Sequence, residues 1–468
     1  MTKVGVNAGL HPELAVAVLG EALRRGGDFA EVFAEDRRSL NLRLEDGRVE
    51  DVGSGRDRGA SLRIVRGNTT LFGYAESLAE SDLLALAREL SRGVSPGEGG
   101  GAPVVALSAT SARGPASDPP QFNPPARATL LRALDTGARS RGAEVRQVLA
   151  NYGELEQRVW VANSRGAFAT DLRRRVLIAA TVVAQREGVI QTGRETWARS
   201  GSNEPPSREE AEEVGTLAAE KSLVMLGAGP APTGRMPVVL AQGFGGVLFH
   251  EACGHGLEAD FILKQSSVWE GLLGMRVAPE FLTALDDGVG AGLWGSNLID
   301  DEGTPAQRTV VIEQGILSAY LVDLLRGDKL GLAATGNGRR ESFRHIPCPR
   351  MTNTYFAPGA GTAQDLIAAT PRAFYAKSLS GGEVNPATGD FVFGVSEGYL
   401  IEGGSVGRPV RGATLVGNGR RVLESIEAVA ADLEVKAGMC GKEGQMVPVG
   451  TGQPTIRIRE MTVGGTQL

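Results

Sequence analysis

Apolar residues recur along the chain with two different periods, and the points where one gives way to the other mark its organisation. Residues 12–25 (PELAVAVLGEALRR) carry apolar positions at helical spacing and run into Gly26-Gly27, which predicts an amphipathic helix with its stop marked. From 30 to 74 the apolar residues alternate in short runs, SLNLRLE, GASLRIV and TTLFGYA, broken by turn signals at Asp46-Gly47, Gly53 to Gly55 and Gly67-Asn68. That pattern predicts an antiparallel meander. Residues 80–92 return to helical spacing.

The same order follows a second time. Residues 96–125 are dense in Gly, Pro, Ser and Ala, a composition that suits a linker or covering loop and leaves no packed element. Beyond them a helix at 126–142 leads into strands such as RVWVANS, GAFATDL and RVLIAATVVAQ up to about 198, and a helix near 208–226 closes the block. The two blocks share a helix-and-meander order without a residue-level repeat. From Met236 onward, runs such as RTVVIEQGILSAYLVD and TIRIREMTVGG read as strands joined by tight turns. These segments give an N-terminal α/β region at 1–95, the linker at 96–125, a central strand-rich region with flanking helices at 126–230 and a β-rich C-terminal domain at 231–468. Helices and strands that segregate in this way predict an α+β fold, with one prominent helix near the start of the C-terminal domain.

Composition narrows the function. The 468 residues are 42% hydrophobic and 22% charged, as in ordinary folded proteins. Forty-nine Lys and Arg against fifty-five Asp and Glu give a formal charge of -6, which provides no global field for nucleic acid or an anionic membrane, so neither is expected as a partner. The basic cluster Arg173-Arg174-Arg175 reads as a solvated strand end. No apolar run reaches the roughly 18 residues of a membrane span and the first 25 residues lack a secretory signal, which predicts a cytoplasmic protein. Three cysteines, Cys253, Cys348 and Cys440, build no disulfide framework and are expected as thiols or metal ligands.

The chemistry concentrates in PVVLAQGFGGVLFHEACGHGLEAD, where a short apolar strand turns through glycines into a segment carrying His250, Glu251 and His255. Histidines four apart project from nearly one helical face, since each residue turns the helix by ~100°. Here they are five apart, and on a regular α-helix that separates them by ~140°. Sharing one ion therefore requires a distortion, either a π-type turn that brings i and i+5 into line or a break at Gly254. Such distortions are frequent at functional sites.

A third ligand is offered by Cys440 in MCGKEGQMVPVGTGQPTIRI, read as a glycine-bracketed turn before the terminal strand. Zinc accepts imidazole nitrogen and thiolate sulfur, and catalytic sites hold three protein ligands while leaving a position for water. Two neutral imidazoles and a thiolate leave about +1 on the ion, enough to acidify that water. Glu251, next to the first ligand, then stands as general base, and as acid toward the leaving amine. Glu258, Cys253 and Cys348 remain alternative third ligands, Cys253 reading best as a small buried hydrophobe. In the loop 339–359, rich in Arg and Pro, His345 is a candidate to steady an oxyanion, while Arg344 and Tyr355 carry no assigned role.

GVLFHEACGHGLEAD at 246–260, RRESFRHIPCPRMTNTY at 339–355, FGVSEGYLIEGG at 393–404 and the MCGKEGQMVPVGTGQPT turn with TVGG resemble the TldD/PmbA family of metallopeptidases, also labelled modulators of DNA gyrase. The resemblance covers nearly the whole chain and maps the motif histidines onto His250 and His255, its glutamate onto Glu251 and its cysteine onto Cys440. It implies the metal-bearing TldD-like branch, one zinc ion per chain and an enclosed site for unfolded or short peptides. It also implies a PmbA-like partner subunit in a heterodimer, with a homodimer as the alternative. Hydrolysis of peptides by a zinc-dependent peptidase is thus the expectation. A zinc-stabilised, non-catalytic interaction subunit and an amidase or deformylase-type hydrolase are the competing readings.

Overall fold

The computed structural model describes residues 9–94, 101–113 and 122–466. Both predicted meanders form, and they join in one seven-stranded sheet. The first contributes helix α1 (Pro12–Leu23), strands β1 (Phe29–Glu45), β2 (Arg48–Arg66) and β3 (Thr69–Ala75), and helix α2 (Glu80–Gly93). Between the meanders lies β4 (Ser108–Arg113). The second contributes α3 (Pro124–Arg139), β5 (Val145–Asn163), β6 (Ala167–Arg186), β7 (Val189–Ser200) and α4 (Arg208–Leu226). The sheet order is β3-β2-β1-β5-β6-β4, and the antiparallel β1–β5 pair is the joint between the two halves.

The segment expected to hold no packed element departs from that expectation. Strand β4 pairs in parallel with the first residues of β6, and β7 takes the remainder of the same edge. The pairing is a main-chain ladder, so a composition rich in small residues does not prevent it. The rest of the expected linker, 96–100 and 114–121, lies outside the described residues.

Alternation along β1 decides how the sheet is used. Ala30, Val32, Ala34, Leu40, Leu42 and Leu44 lie under the helices, the first three with α1 and α2 and the last three with α3 and α4. The intervening Glu31, Phe33 and Glu35 are also buried, but against the C-terminal domain. Beside the apolar cluster of Phe33, Val159, Val161, Ala169, Ile299 and Phe343, this seam is ionic. Arg63 Nη2 lies 2.8 Å from Glu31 and 2.6 Å from Glu302, Arg340 reaches Glu31 at 2.5 Å, and Arg173 bonds Asp171 at 3.1 Å and Asp301 at 2.6 Å. Burial pushes the Glu302 carboxyl up to about 7, helped by Asp323 and opposed by Arg63. The expectation of a solvated Arg173-Arg174-Arg175 cluster is thereby corrected: the three lie mid-strand in β6, Arg173 and Arg175 are buried, and Arg174 pairs with Glu156. Arg173 meets Asp301 from 128 positions away and Arg175 meets the Trp294 and Ser296 carbonyls and Asn297 from about as far, contacts no local pattern reveals.

The C-terminal domain is β-rich, as expected. Strand Gly234–Leu240 lies between Arg372–Val384 and Ile456–Gly464, followed by Thr414–Asn418 and Asp390–Glu402. The last of these pairs back onto Arg372–Val384 and closes a five-stranded barrel. Beside it a six-stranded sheet runs in the order Ile316–Leu317, Arg308–Glu313, Ala284–Asp287, Asn353–Phe356, Gln445–Gln453, Glu434–Lys442. Among the described residues, no helix is long and apolar enough to cross a membrane.

Removing one partner of a buried ion pair strands the other in low dielectric. Arg63→Ala leaves Glu31 and Glu302 short of a counter-charge and is expected to destabilise the protein by about 3–5 kcal/mol, measured by denaturant unfolding.

Candidate metal centre

The barrel strand Gly234–Leu240 feeds directly into the histidine segment. A 3₁₀ turn at Phe244–Gly246 and one α-turn at Val247–Phe249 lead to a π-helical stretch at His250–Gly254, and a further 3₁₀ turn at His255–Leu257 follows. The His255 N–H donates to the His250 carbonyl, the i to i+5 bond that defines the π-turn. The five-residue spacing is therefore resolved by the first of the two predicted distortions. Gly254 is not a break: its φ of -56 is ordinary helix. Its missing side chain serves packing instead, because a Cβ there would fall 2.2 Å from the Met351 sulfur, and one at Gly256 would fall 2.5 Å from the Trp269 ring.

Leu248, Phe249, Ala252 and Cys253 point into the core, with the Phe249 ring 4.7 Å from that of Phe356. The opposite side of the turn presents the histidines. Their rings stand 5.2 Å apart at 84°. Cys440 meets both, with its sulfur 3.2 Å from His250 Nε2 and 3.3 Å from His255 Nε2. All three residues are buried, and their donor atoms lie within 4.8 Å of one another. Cys440 sits within strand Glu434–Lys442, opposite Val447, and not in a turn as expected; the turn comes at Glu443-Gly444, both with positive φ. Glycines on both sides of the cysteine resemble turn punctuation, yet here they are strand positions.

The charges agree with the geometry. Burial opposes ionisation of Cys440, but His250 and His255 outweigh it and hold the thiol down at about 4. Burial likewise works against a proton on His255, while Glu258 and Cys440 raise its affinity well above the ordinary range. Glu258 accepts from His255 Nδ1 at 3.1 Å and from Lys442 Nζ at 2.8 Å. Although burial disfavours its charge, those two cations keep its carboxyl down at about 2. His250 Nδ1 finds Thr354 Oγ1 at 3.1 Å, so both rings turn Nε2 toward the sulfur. Glu251, with its side chain 25% exposed, places a carboxylate oxygen 3.7 Å from His255 Nε2.

Five other sequence candidates go elsewhere. Cys253 is core, its thiol raised by burial alone, and burial lifts the Cys348 thiol to about 11. His345 bonds Ser342, Arg344 bridges to Asp57 and Glu76 across the seam, and Tyr355 donates to Asp287. Sequence reasoning missed Thr354, Lys442 and Arg350, whose buried guanidinium donates to the Cys440 carbonyl at 2.5 Å. All three lie inside the segments quoted above as motifs, which was the available signal.

Family models for the PmbA/TldA metallopeptidase match in three parts: domain 1 at residues 30–93, the central domain at 117–226 and the C-terminal domain at 233–465. A Haemophilus influenzae protein named metalloprotease TldD homolog is 38% identical over 455 residues, 94% of each chain. This chain belongs to the TldD/PmbA metallopeptidase family. A Saccharolobus solfataricus relative named zinc metalloprotease TldD homolog is 36% identical over 234 residues, covering 50% of this chain and 52% of its own. In fold the chain is similar to TldE from Thermococcus kodakarensis, with a TM-score of 0.76 at 17% identity over 97% of this chain and 100% of that one.

Because Met351 fills the space at Gly254, Gly254→Ala overpacks a buried contact beneath the π-turn. The expected cost is about 1–3 kcal/mol in unfolding free energy, read by denaturant titration.

Proposed function

We propose that this member of the TldD/PmbA family is a zinc-dependent peptidase, with His250, His255 and Cys440 as the metal ligands and Glu251 as general base. The observation that carries the reading is the convergence of two imidazoles on one thiolate, with a partly exposed carboxylate beside them. The residues fit the ion. A tetrahedral zinc with ordinary Zn–S and Zn–N bonds separates sulfur from nitrogen by about 3.5 Å, a few tenths more than the contacts seen here. Bound there, zinc would supply Lewis acidity to a water and to the scissile carbonyl.

The chain's own residues account for the rest. Glu258 and Thr354 fix the tautomer and direction of the two rings, the role that outer carboxylates and hydroxyls fill around metal-bound histidines. Glu251 takes the proton of the attacking water and returns it to the leaving amine. Its exposure, beside three buried ligands, supports catalysis over a purely structural ion, which needs no base. Strand Glu434–Lys442 is at the edge of its sheet, where an extended peptide can add as a further strand, which favours broad sequence tolerance. Unfolded or short peptides are the substrate class. A PmbA-like subunit is the partner, in keeping with the TldE-like fold, and the cytoplasm is the compartment.

Elemental analysis of the purified protein is expected to find about one zinc per chain, lost in Cys440→Ala. Zinc retained in that variant would remove Cys440 from the ligand set. Glu251→Gln should keep the metal and lower hydrolysis of an unstructured peptide by about 10²–10⁴-fold, and a fully active variant would end its role as base. Glu258→Gln should weaken zinc affinity by about 10–100-fold, measured by competition with a chromogenic chelator.

A further inference from the structure

FGVSEGYLIEGG, one of the motifs the metal centre does not absorb, lines a cleft of about 670 Å³ between β7 and α4 on one side and the barrel on the other. Most charges in this cleft are already paired: Lys221 with Glu195 at 2.6 Å, and Lys436 with Glu434 at 2.7 Å. Glu397 differs. It is 2% exposed, its Oε1 accepts from Lys377 Nζ at 2.8 Å and from the Tyr399 hydroxyl at 2.7 Å, and its buried Oε2 has no hydrogen-bond partner. The Lys377 ammonium lies 5.8 Å from the centre of the Tyr399 ring, and the Tyr375 ring stands 6.1 Å from that of Tyr399. A carboxylate beside aromatic faces is the environment that recognises an alkylammonium. Lys377 shows the chemistry, yet its side chain is 49% exposed, and an ion pair with one half-solvated partner is readily exchanged.

We propose that this cleft is an alkylammonium subsite of the peptide-cleaving site, in which the amino terminus or a lysine side chain of the substrate displaces Lys377 from Glu397. The proposal rests on the peptidase reading above. Exchange of one ammonium for another keeps the Glu397 carboxylate paired while the half-exposed Lys377 side chain turns to solvent, and Oε2 provides the additional acceptor that favours the incoming group. The route to the metal centre follows one strand face. Glu434 and Lys436 line the cleft, and in the unbroken register of Glu434–Lys442 they share a face with Gly438 and Cys440. Nothing obstructs this face at Gly438, where an added Cβ would come no closer than 3.8 Å to its neighbours. Residues 436 and 440 are separated by about 14 Å along the strand, the length of about four extended residues. The subsite therefore favours an ammonium about four residues from the scissile bond.

The test uses the full-length zinc-loaded protein and four capped or uncapped versions of one unstructured, otherwise uncharged peptide: capped, with a free amino terminus, with an internal lysine, and with norleucine at the lysine position. Fluorescence anisotropy reads binding, and mass spectrometry of products reads cleavage position. At least tenfold tighter binding of a peptide bearing an ammonium than of its uncharged counterpart, lost in Glu397→Gln, is the expected result. Gain from the free terminus alone or from the lysine alone identifies the source. Equal affinities of all four peptides for the wild-type protein would overturn the subsite, as would an undiminished preference in a folded Glu397→Gln. Should that variant fail to fold, the wild-type comparison of lysine with norleucine and of free with capped termini decides the matter. Binding preference without cleavage of any peptide would overturn the peptidase reading while leaving the subsite standing.

Discussion

One thiolate held between two imidazoles sets the terms for the C-terminal half of the molecule. Cys440 lies 190 positions from His250 and 185 from His255, so the contact requires an edge strand and a helical segment from distant parts of the chain to meet within hydrogen-bond distance. The π-turn places both rings on one side. The strand brings the sulfur, and burial makes a charge there costly unless each group answers another. Cys440, His255, Glu258 and Lys442 form that answering series, anion against cation in turn. Removing any member takes from its buried neighbour one of the charges that answer it.

The glycines of the motif follow from the same demand. A segment that packs its backbone against the barrel and the six-stranded sheet at once has room for few side chains. A Cβ at Gly246 would fall 2.4 Å from the Gly452 backbone, and one at Gly419 would fall 2.2 Å from the Ala252 carbonyl. Both approaches involve main chain, which cannot swing aside. Close backbone contact, more than unusual dihedral angles, is why glycine crowds the site.

Local patterns exposed most of the first half of the fold and the candidate residues of the centre. Strand alternation and glycine stops located both meanders and their helices because those signals are local and repeat over many residues. His250, Glu251, His255 and Cys440 stood out by chemistry, and the awkward five-residue spacing announced a distortion while leaving open whether it was a π-turn or a break at Gly254. What stayed hidden was non-local. Arg173 looks like a surface charge until Asp301 arrives from the other domain. Strand β4 looks like a loop because an edge pairing asks nothing of its side chains, and Cys440 looks like a turn residue because glycines bracket a strand position.

The ionic seam and the candidate metal centre are joined by one stretch of chain, residues 339–350. Arg340 and Arg344 cross the seam to Glu31 and to Asp57 and Glu76 on the N-terminal sheet. From the same stretch Arg339 donates to the Met351 and Pro448 carbonyls, and Arg350 donates to those of Cys440 and Gln445. Guanidinium groups suit the task, because each presents several donors in a rigid plane and holds more than one acceptor at once. The strand bearing the sulfur is thus braced from behind by arginines whose neighbours are anchored in another domain. The charged seam consequently does more than fasten two domains together: through four arginines of one stretch it braces the strands that carry Cys440 beside the histidines.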